Sequence, residues 1–308
     1  MSDSRHSLKV AAAQHSSVFL NRRESVEKAC DLIAEASGKG ARLIVFPEAF
    51  VAGYPDWVWL VKNSDGATLD GYYRELVENA IAIPDESTER LCEAAQAGQI
   101  HVAIGVNERN AEGSGASLFN TFLYISEEGI VLGAHRKLMP TGGERTVWAQ
   151  GDGTTLLAFD TPIGRLGGLL CWETYMPLAR QAMYEMGTQI LVVGTWDSGD
   201  PWLLAMRHIA REGGMFVVNC CQALRMAEIP ESYEFKKLYP EGREWVNKGN
   251  SSIVDPMGRV LAGPVRESQE ILYADLDLGL IPAAKRMFDP AGHYARPDVF
   301  RFEVRRGE

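Results

Sequence analysis

The chain has 308 residues, of which 46% are hydrophobic and 23% are charged, a composition typical of globular rather than disordered proteins. Its net charge of −10, with the basic residues scattered, argues against a nucleic-acid partner, because phosphate binding needs clustered Lys and Arg. Five widely spaced cysteines, the lack of an apolar secretory core and the lack of long apolar runs predict a cytoplasmic protein without a membrane partner.

The first half of the chain alternates strands with helices. Short apolar runs predict buried strands at 8–14 and 42–48, where breaking or polar residues follow each run. Between them, apolar residues recur at helical spacing and place Cys30 on the inner face of an amphipathic helix. A second helix over 86–97 then precedes a strand at 100–108.

The second half continues this alternation and adds hairpins. The remaining predicted elements are hairpins turning at Glu127–Gly129 and Thr161–Gly164, a helix from Pro177, a strand at 189–196, a helix to Glu212 capped by Asp200 with Pro201 as its first residue, a strand at 216–222, a hairpin of 251–256 with 259–264, a strand at 271–278 and a helix over 279–288. Because neither a linker nor a fixed-period repeat interrupts them, we expect one domain of mixed α/β layers, with a core over about 7–290 and a tail at 291–308.

Two segments, 54–76 and 225–245, are irregular and rich in aromatic residues. They fit surface excursions or subunit contacts, and they fit the walls of an apolar pocket equally well. The sequence leaves both interpretations open.

Several common catalytic patterns are absent from the sequence. It has no G-x-S-x-G elbow, no Walker A loop and no H-E-x-x-H zinc motif. Cys220 and Cys221 are adjacent in a predicted strand, so their side chains point to opposite faces and belong to the core. His208 and Glu212, four residues apart, are typical of an ordinary helix face. The two cysteines cannot easily share a metal ion.

Three chemically active residues stand at strand ends: Glu48, Lys137 and Cys171. Each alone has an ordinary explanation, as a solvated acid, a surface charge or a core thiol. Together they complement one another, provided that the carboxyl ends of their strands meet at one rim. An ammonium lowers a thiol pKa towards the thiolate, a carboxylate acts as general base, and the fixed positive charge stabilises a developing anion.

Long motifs around these residues resemble the nitrilase branch of the carbon–nitrogen hydrolase superfamily. The stretches that carry the resemblance are "FPEAF.AGYP", "HRKLMPTGGERTVWAQGDG", "GGLLCWETYMPLAR", "NSSIVDPMGRVLAGP" and "GHYARPDVFRF", in this order and across almost the whole chain. The resemblance implies a four-layer α-β-β-α sandwich, a homodimer formed through helices with a higher oligomer left open, and no metal or organic cofactor.

The resemblance also implies roles for individual residues. Cys171 would be the nucleophile, Glu48 the general base, Lys137 the stabiliser of developing charge, and Glu144 a second glutamate beside the cysteine. The residues expected to line the substrate pocket or the oxyanion site are Trp172, Tyr54, Trp57, Thr195 and Trp196. Glu173 and His293 would support the site from behind.

The expected reaction converts an organic nitrile into a carboxylic acid and ammonia through a thioimidate and a thioester on Cys171. A cyanide dihydratase and an amidase of the same superfamily share the Glu, Lys and Cys and remain alternatives. A third alternative, from a different class, is an inactive fold kept as a binding module. It is disfavoured because all four catalytic positions are filled.

Overall fold

The computed structural model describes residues 7–306 and shows an α/β protein built on two six-stranded sheets. The strands are Ser7–Gln14 (β1), Leu43–Val45 (β2), His101–Arg109 (β3), Leu118–Ile125 (β4), Val131–Arg136 (β5), Ala158–Thr161 (β6), Gly164–Leu170 (β7), Ile190–Thr195 (β8), Phe216–Cys221 (β9), Ala223–Arg225 (β10), Trp245–Lys248 (β11), Ser251–Val254 (β12), Val260–Val265 (β13) and Glu270–Asp277 (β14). The α-helices are Arg22–Gly38 (α1), Gly66–Asn79 (α2), Glu86–Gly98 (α3), Pro177–Glu185 (α4), Asp200–Gly213 (α5) and Leu280–Lys285 (α6).

The two large sheets repeat one pattern of strand pairing. The first has the order β14-β1-β2-β3-β4-β5, and the second has the order β13-β12-β9-β8-β7-β6. In each sheet three neighbouring strands are parallel, β1-β2-β3 and β7-β8-β9, while the flanking pairs are antiparallel. The hairpins β4-β5, β6-β7 and β12-β13 confirm the three turns predicted from the sequence.

The core consists of layers that match the expected α-β-β-α sandwich. Alternate residues of β1, such as Val10 and Ala12, face strands of the second sheet, whereas Ala11 and Ala13 face α1 and α3. On the far side, α4 and α5 pack Met183 and other apolar residues against the second sheet. Each sheet is thus covered on both faces, which explains why its strands are continuous apolar runs. In the described part of the chain, no helix is both long enough and apolar enough to span a bilayer.

Most predicted elements are observed, but two details differ. The segment at 54–76 is not irregular throughout: a short 3₁₀ turn over Asp56–Trp59 is followed by α2, whose start is capped by the Asp65 side chain. Helix α5 is capped by Gly199, with Pro201 at the second position, because the side chain of Asp200 makes no capping bond and instead pairs with Arg266.

The two aromatic segments pack against each other instead of extending over the surface. Trp57 and Phe235 are buried with ring centroids 6.1 Å apart, and Phe19 fills the space beside them. The cluster also includes Tyr54, which reaches the group of charged residues described next. These segments therefore form one side of the region around Glu48 and Cys171.

Candidate active site

Glu48 enters the space between the two sheets through a gap left by two glycines. It follows β2, and its backbone passes between Gly105 of β3 and Gly194 of β8. A Cβ on Gly105 would lie 2.3 Å from the carbonyl oxygen of Pro47, and one on Gly194 would lie 2.7 Å from the Glu48 nitrogen. Only glycine permits this close approach. From the end of β9, the Gln222 amide holds the Glu48 carbonyl at 2.9 Å.

The two carboxylate oxygens of Glu48 have different environments. Oε1 accepts hydrogen bonds from Lys137 Nζ at 2.7 Å and Asn120 Nδ2 at 2.6 Å. Oε2 is buried and has no hydrogen-bond partner within residues 7–306. Burial raises the pKa of Glu48, against the charge of Lys137, and the charge of Glu144 raises it further. An unpaired, basic oxygen in a dry site is suited to proton transfer.

Lys137, the first residue after β5, carries a fixed positive charge in the site. Its ammonium group is fully buried and bridges Glu48 and Glu144, with both N–O distances 2.7 Å. Burial opposes the charged form, but the charges of Glu48 and Glu144 outweigh it and raise the pKa of Lys137. Glu144 in turn accepts hydrogen bonds from the Tyr54 hydroxyl and the Thr141 backbone, both at 2.7 Å. The ammonium therefore cannot move away from Glu48.

Cys171 directly follows β7 of the second sheet and faces the glutamates from the opposite side. It has a φ of 49°, a left-handed conformation that costs about 1–3 kcal/mol in a residue other than glycine. Its side chain retains 4% exposure. Burial and the charge of Glu48 raise the pKa of the Cys171 thiol, although Lys137 acts to lower it. The ammonium thus acts on the thiol pKa in the predicted direction, but burial and Glu48 outweigh it, so the thiol needs a base to react as a thiolate.

A buried ion pair joins the strand ends that carry Lys137 and Cys171. Glu173 accepts hydrogen bonds from the backbone nitrogens of Leu170 and Leu138, the latter at 2.8 Å, and from His135 Nε2 at 2.8 Å. Burial acts to lower the pKa of His135, but the charge of Glu173 outweighs burial and raises this pKa. His135 in turn lowers the pKa of Glu173.

The second ring nitrogen of His135, Nδ1, lies 3.1 Å from the carbonyl oxygen of Thr155. Both nitrogens thus lie beside a carbonyl or carboxylate oxygen, an arrangement that favours the imidazolium. Glu173 is thus bonded to the backbone on both sides of the site, at Leu138 and at Leu170.

Three of the five expected pocket residues, Tyr54, Thr195 and Trp196, lie around the cluster of Glu48, Lys137, Glu144 and Cys171. Thr195, the last residue of β8, donates a hydrogen bond to Cys171 Sγ at 3.2 Å. Trp196 stacks on Tyr54 with 4.4 Å between the ring centroids and an angle of 7° between the planes. The indole of Trp196 donates to Asp56 at 3.0 Å, and burial raises the pKa of Asp56 to about 6.

Trp172 is too exposed, and Trp57 too deeply buried, to form a wall of the pocket. Trp172 is half exposed, and its indole donates to Asp197 at 2.8 Å. Trp57 is fully buried among Phe19, Tyr72 and Phe235, so it supports the aromatic cluster. The neighbouring Trp59 is the exposed one, and its indole reaches the Tyr54 hydroxyl at 3.1 Å.

The structure does not bring His293 to this site. Its side chain is exposed in the C-terminal segment, and its ring packs edge-on against Tyr294. Within residues 7–306, His293 makes no hydrogen bond to the catalytic group. The prediction that it supports the site is therefore wrong for the single chain, because the C-terminal segment packs on the outer face of the second sheet and α4, beyond the catalytic cluster.

Sequence analysis did not identify several residues that organise the site. Asn120, His135, Gln222 and Asp197 are polar positions in or beside apolar strands, and Asp56 begins the 3₁₀ turn; all but Asp197 are buried. A polar residue within an apolar strand is the signal that points to such positions, because burying it requires a partner. In the described part of the chain, no group of three or more His, Cys, Asp or Glu side chains is arranged to hold a metal ion.

The profile of the carbon–nitrogen hydrolase family matches residues 9–286. The chain belongs to this family. It is 43% identical over 298 residues to an aliphatic nitrilase of Sinorhizobium fredii, covering 96% of this chain and 95% of that protein. It is 40% identical over 305 residues to a bifunctional nitrilase/nitrile hydratase of Nicotiana tabacum, covering 97% of this chain and 86% of that protein.

A solved structure shows the same fold. Saccharomyces cerevisiae Nit3, a member of branch 10 of the nitrilase superfamily, superposes with a TM-score of 0.72 at 21% identity. The match covers 94% of this chain and 97% of that one. The family and the fold inferred from the sequence motifs are thus confirmed. The arrangement of thiol, unpaired carboxylate and buried ammonium suits nucleophilic attack on an electrophilic carbon–nitrogen bond.

Proposed function

We propose that this carbon–nitrogen hydrolase is a nitrilase, which converts an organic nitrile into a carboxylic acid and ammonia. The single observation that carries the proposal is the asymmetry of Glu48: one oxygen is held by Lys137 and Asn120, and the other has no partner within residues 7–306. The nitrilase activities named for relatives at 40–43% identity support the choice of a nitrile.

In the first step, Glu48 takes the proton of the Cys171 thiol while sulfur adds to the nitrile carbon. The nitrile π electrons move to nitrogen, which receives that proton from Glu48 and gives a covalent thioimidate, so that Glu48 is again a carboxylate. Proton transfer must accompany attack, because the buried thiol has a raised pKa and does not ionise by itself. The ammonium of Lys137 compensates the negative charge that develops on the reacting atoms, and the backbone N–H of Trp172 is the further donor we assign to this role.

In the second step, Glu48 activates a water molecule that adds to the thioimidate carbon. The resulting tetrahedral carbon carries sulfur, nitrogen and oxygen. Protonation of nitrogen by the carboxylic acid lets the C–N bond break, so that ammonia leaves and a thioester remains. A second water then releases the carboxylic acid and restores the thiol. Lys137 keeps both glutamates in place throughout.

Product analysis tests this proposal. The purified protein is incubated with aliphatic and aromatic nitriles, the matching amides and cyanide, and ammonia, acid, amide and formamide are measured. We expect acid and ammonia from organic nitriles and none with Cys171→Ala. Turnover of amides alone would identify an amidase, and formamide from cyanide alone would identify a cyanide dihydratase. A folded protein that turns over none of them contradicts the proposal.

The resemblance implies a homodimer formed through helices, and we also propose that the helices are α4 and α5. Leu178 on α4 and Leu204 on α5 are 69% and 64% exposed, and together they leave apolar surface on the outer helical layer. Light scattering after size-exclusion chromatography measures the mass. Leu178→Asp combined with Leu204→Asp should give a monomer, and a monomeric wild-type protein contradicts this proposal.

We place the protein in the cytoplasm, which suits its five free cysteines. Fractionation of the source cells with detection by an antibody tests the location. Recovery in an oxidising compartment would contradict it.

A further inference from the structure

The hydrogen bond between Thr195 and the catalytic sulfur has a defined direction. The Thr195 hydroxyl oxygen accepts the backbone N–H of Asp197 at 2.9 Å and lies 3.2 Å from Cys171 Sγ. Thr195 is fully buried, and within residues 7–306 its hydroxyl has no acceptor other than this sulfur. The hydroxyl proton is therefore directed at Sγ, and the N–H of Asp197 prevents the side chain from rotating away.

We propose that Thr195 is a catalytic residue that sets the ratio of amide to acid among the products. The inference rests on the nitrilase function proposed above. It concerns the tetrahedral carbon that forms after water adds to the thioimidate, because that carbon can lose either nitrogen or sulfur. The two losses lead to different products, and only one of them places charge on the sulfur that Thr195 contacts.

When the C–N bond breaks, its electron pair leaves with protonated nitrogen as ammonia. The hydroxyl on the carbon gives its proton to a carboxylate and becomes the thioester carbonyl. When the C–S bond breaks instead, its electron pair stays on Cys171 Sγ as a thiolate. The same hydroxyl loses its proton to Glu48, and the carbonyl that forms belongs to an amide. The proton then returns from Glu48 to sulfur.

Thr195 lowers the barrier for the second route because a hydrogen bond to a charged acceptor is stronger than one to a neutral acceptor. Sulfur gains negative charge only as the C–S bond breaks, so the hydroxyl stabilises that transition state more than the bound intermediate. Loss of nitrogen leaves the sulfur uncharged and gains nothing from Thr195. The hydroxyl therefore directs part of the flux to the amide.

The test compares Thr195→Val, which removes the hydroxyl at nearly constant shape, with Thr195→Ser, which retains it. Initial amide and acid are measured from butyronitrile and from methoxyacetonitrile, two nitriles of similar size. The methoxy oxygen withdraws electrons and makes the nitrogen a poorer base, so it slows C–N cleavage and raises the amide share. We expect Thr195→Val to lower the amide-to-acid ratio about tenfold, and Thr195→Ser to keep the wild-type ratio.

Two results would overturn the proposal: a ratio for Thr195→Val within about twofold of wild type, or no amide from methoxyacetonitrile with the wild-type enzyme. If the wild-type protein consumes no nitrile, the proposed function has failed, and alkylation of Cys171 by iodoacetamide decides the role of Thr195 separately. Thr195→Val should then react about tenfold more slowly than Thr195→Ser at the same pH, and equal rates refute the contact. Circular dichroism checks that each variant is folded. If Thr195→Val does not fold, Thr195→Ala is used in its place.

Discussion

Replacing Glu173 by glutamine removes one charge from the ion pair that joins the two sheets. Glu173 has no exposed side-chain surface and accepts hydrogen bonds from His135 Nε2 and from the backbone nitrogens of Leu138 and Leu170. A glutamine amide has one oxygen, so at least one buried donor faces its NH₂ group. An unpaired buried donor costs about 1–3 kcal/mol, and breaking a buried ion pair about 3–5 kcal/mol.

Because glutamine keeps the volume and one acceptor, we expect the free energy of unfolding to fall by about 2–4 kcal/mol. For a chain of this size that loss lowers Tm by about 3–6 °C. We expect activity to fall as well, since Leu138 and Leu170 are the neighbours of Lys137 and Cys171 along the chain.

The loss should also depend on pH. His135 has a raised pKa in the folded state, so its contribution is complete below its unfolded value, about 6.5, and is lost as pH rises through the folded value. Glu173 has a lowered pKa, so its contribution is present above the ordinary carboxyl value, about 4.3, and is lost in acid. Wild type and Glu173→Gln should therefore differ most between about pH 4.5 and 6.5.

Urea unfolding at several pH values measures this difference, and a double-mutant cycle with His135→Asn isolates the pair. The double variant should lose less stability than the sum of the two single losses. A difference below about 0.5 kcal/mol, or one that does not vary with pH, refutes the reasoning.

Three further predictions follow from the same contacts. Asn120→Ala removes an amide that lowers the pKa of Glu48, so the fall of kcat/KM on the acidic side of its pH profile should move to higher pH. An unchanged pH profile contradicts this role. Lys137→Met leaves Glu48 and Glu144 buried without their cation, so the free energy of unfolding should fall by about 3–5 kcal/mol. Part of this stability should return at lower pH, where the carboxylates protonate, and thermal unfolding across pH measures it. Trp57→Ala truncates the core and should lower the free energy of unfolding by about 3–5 kcal/mol, whereas Trp59→Ala should change KM more than Tm. If Trp57→Ala instead changes KM more than Tm, Trp57 lies in the pocket.

Much of the fold was predictable because its signals are local. Apolar runs, helical spacing and turn residues identify most strands, helices and hairpins from a short window of sequence. Helix α2 was missed because only Leu76 is buried along it and aromatic positions obscure the helical period. The β10-β11 pair was missed because each strand spans only three or four residues.

The catalytic types were recognisable from sequence, but their arrangement was not. Glu48 and Lys137 come from β2 and β5 of the first sheet, which are separated by two strands, and Cys171 comes from the second sheet. The sequence predicted that the three residues meet along one rim of neighbouring strands. The structure shows instead that they meet across the two facing sheets. The family motifs pointed to these residues without revealing that geometry.

By itself, the sequence determined which segments form strands, which residues follow them, and that a thiol, a carboxylate and an ammonium group are available. Only the tertiary structure decided that Gly105 and Gly194 admit Glu48 between the sheets, and that one oxygen of Glu48 is left unpaired. It also decided that the thiol of Cys171 has a raised rather than a lowered pKa. The physical reason is that burial and Coulomb interactions depend on distances between residues far apart in the chain, which no local pattern encodes.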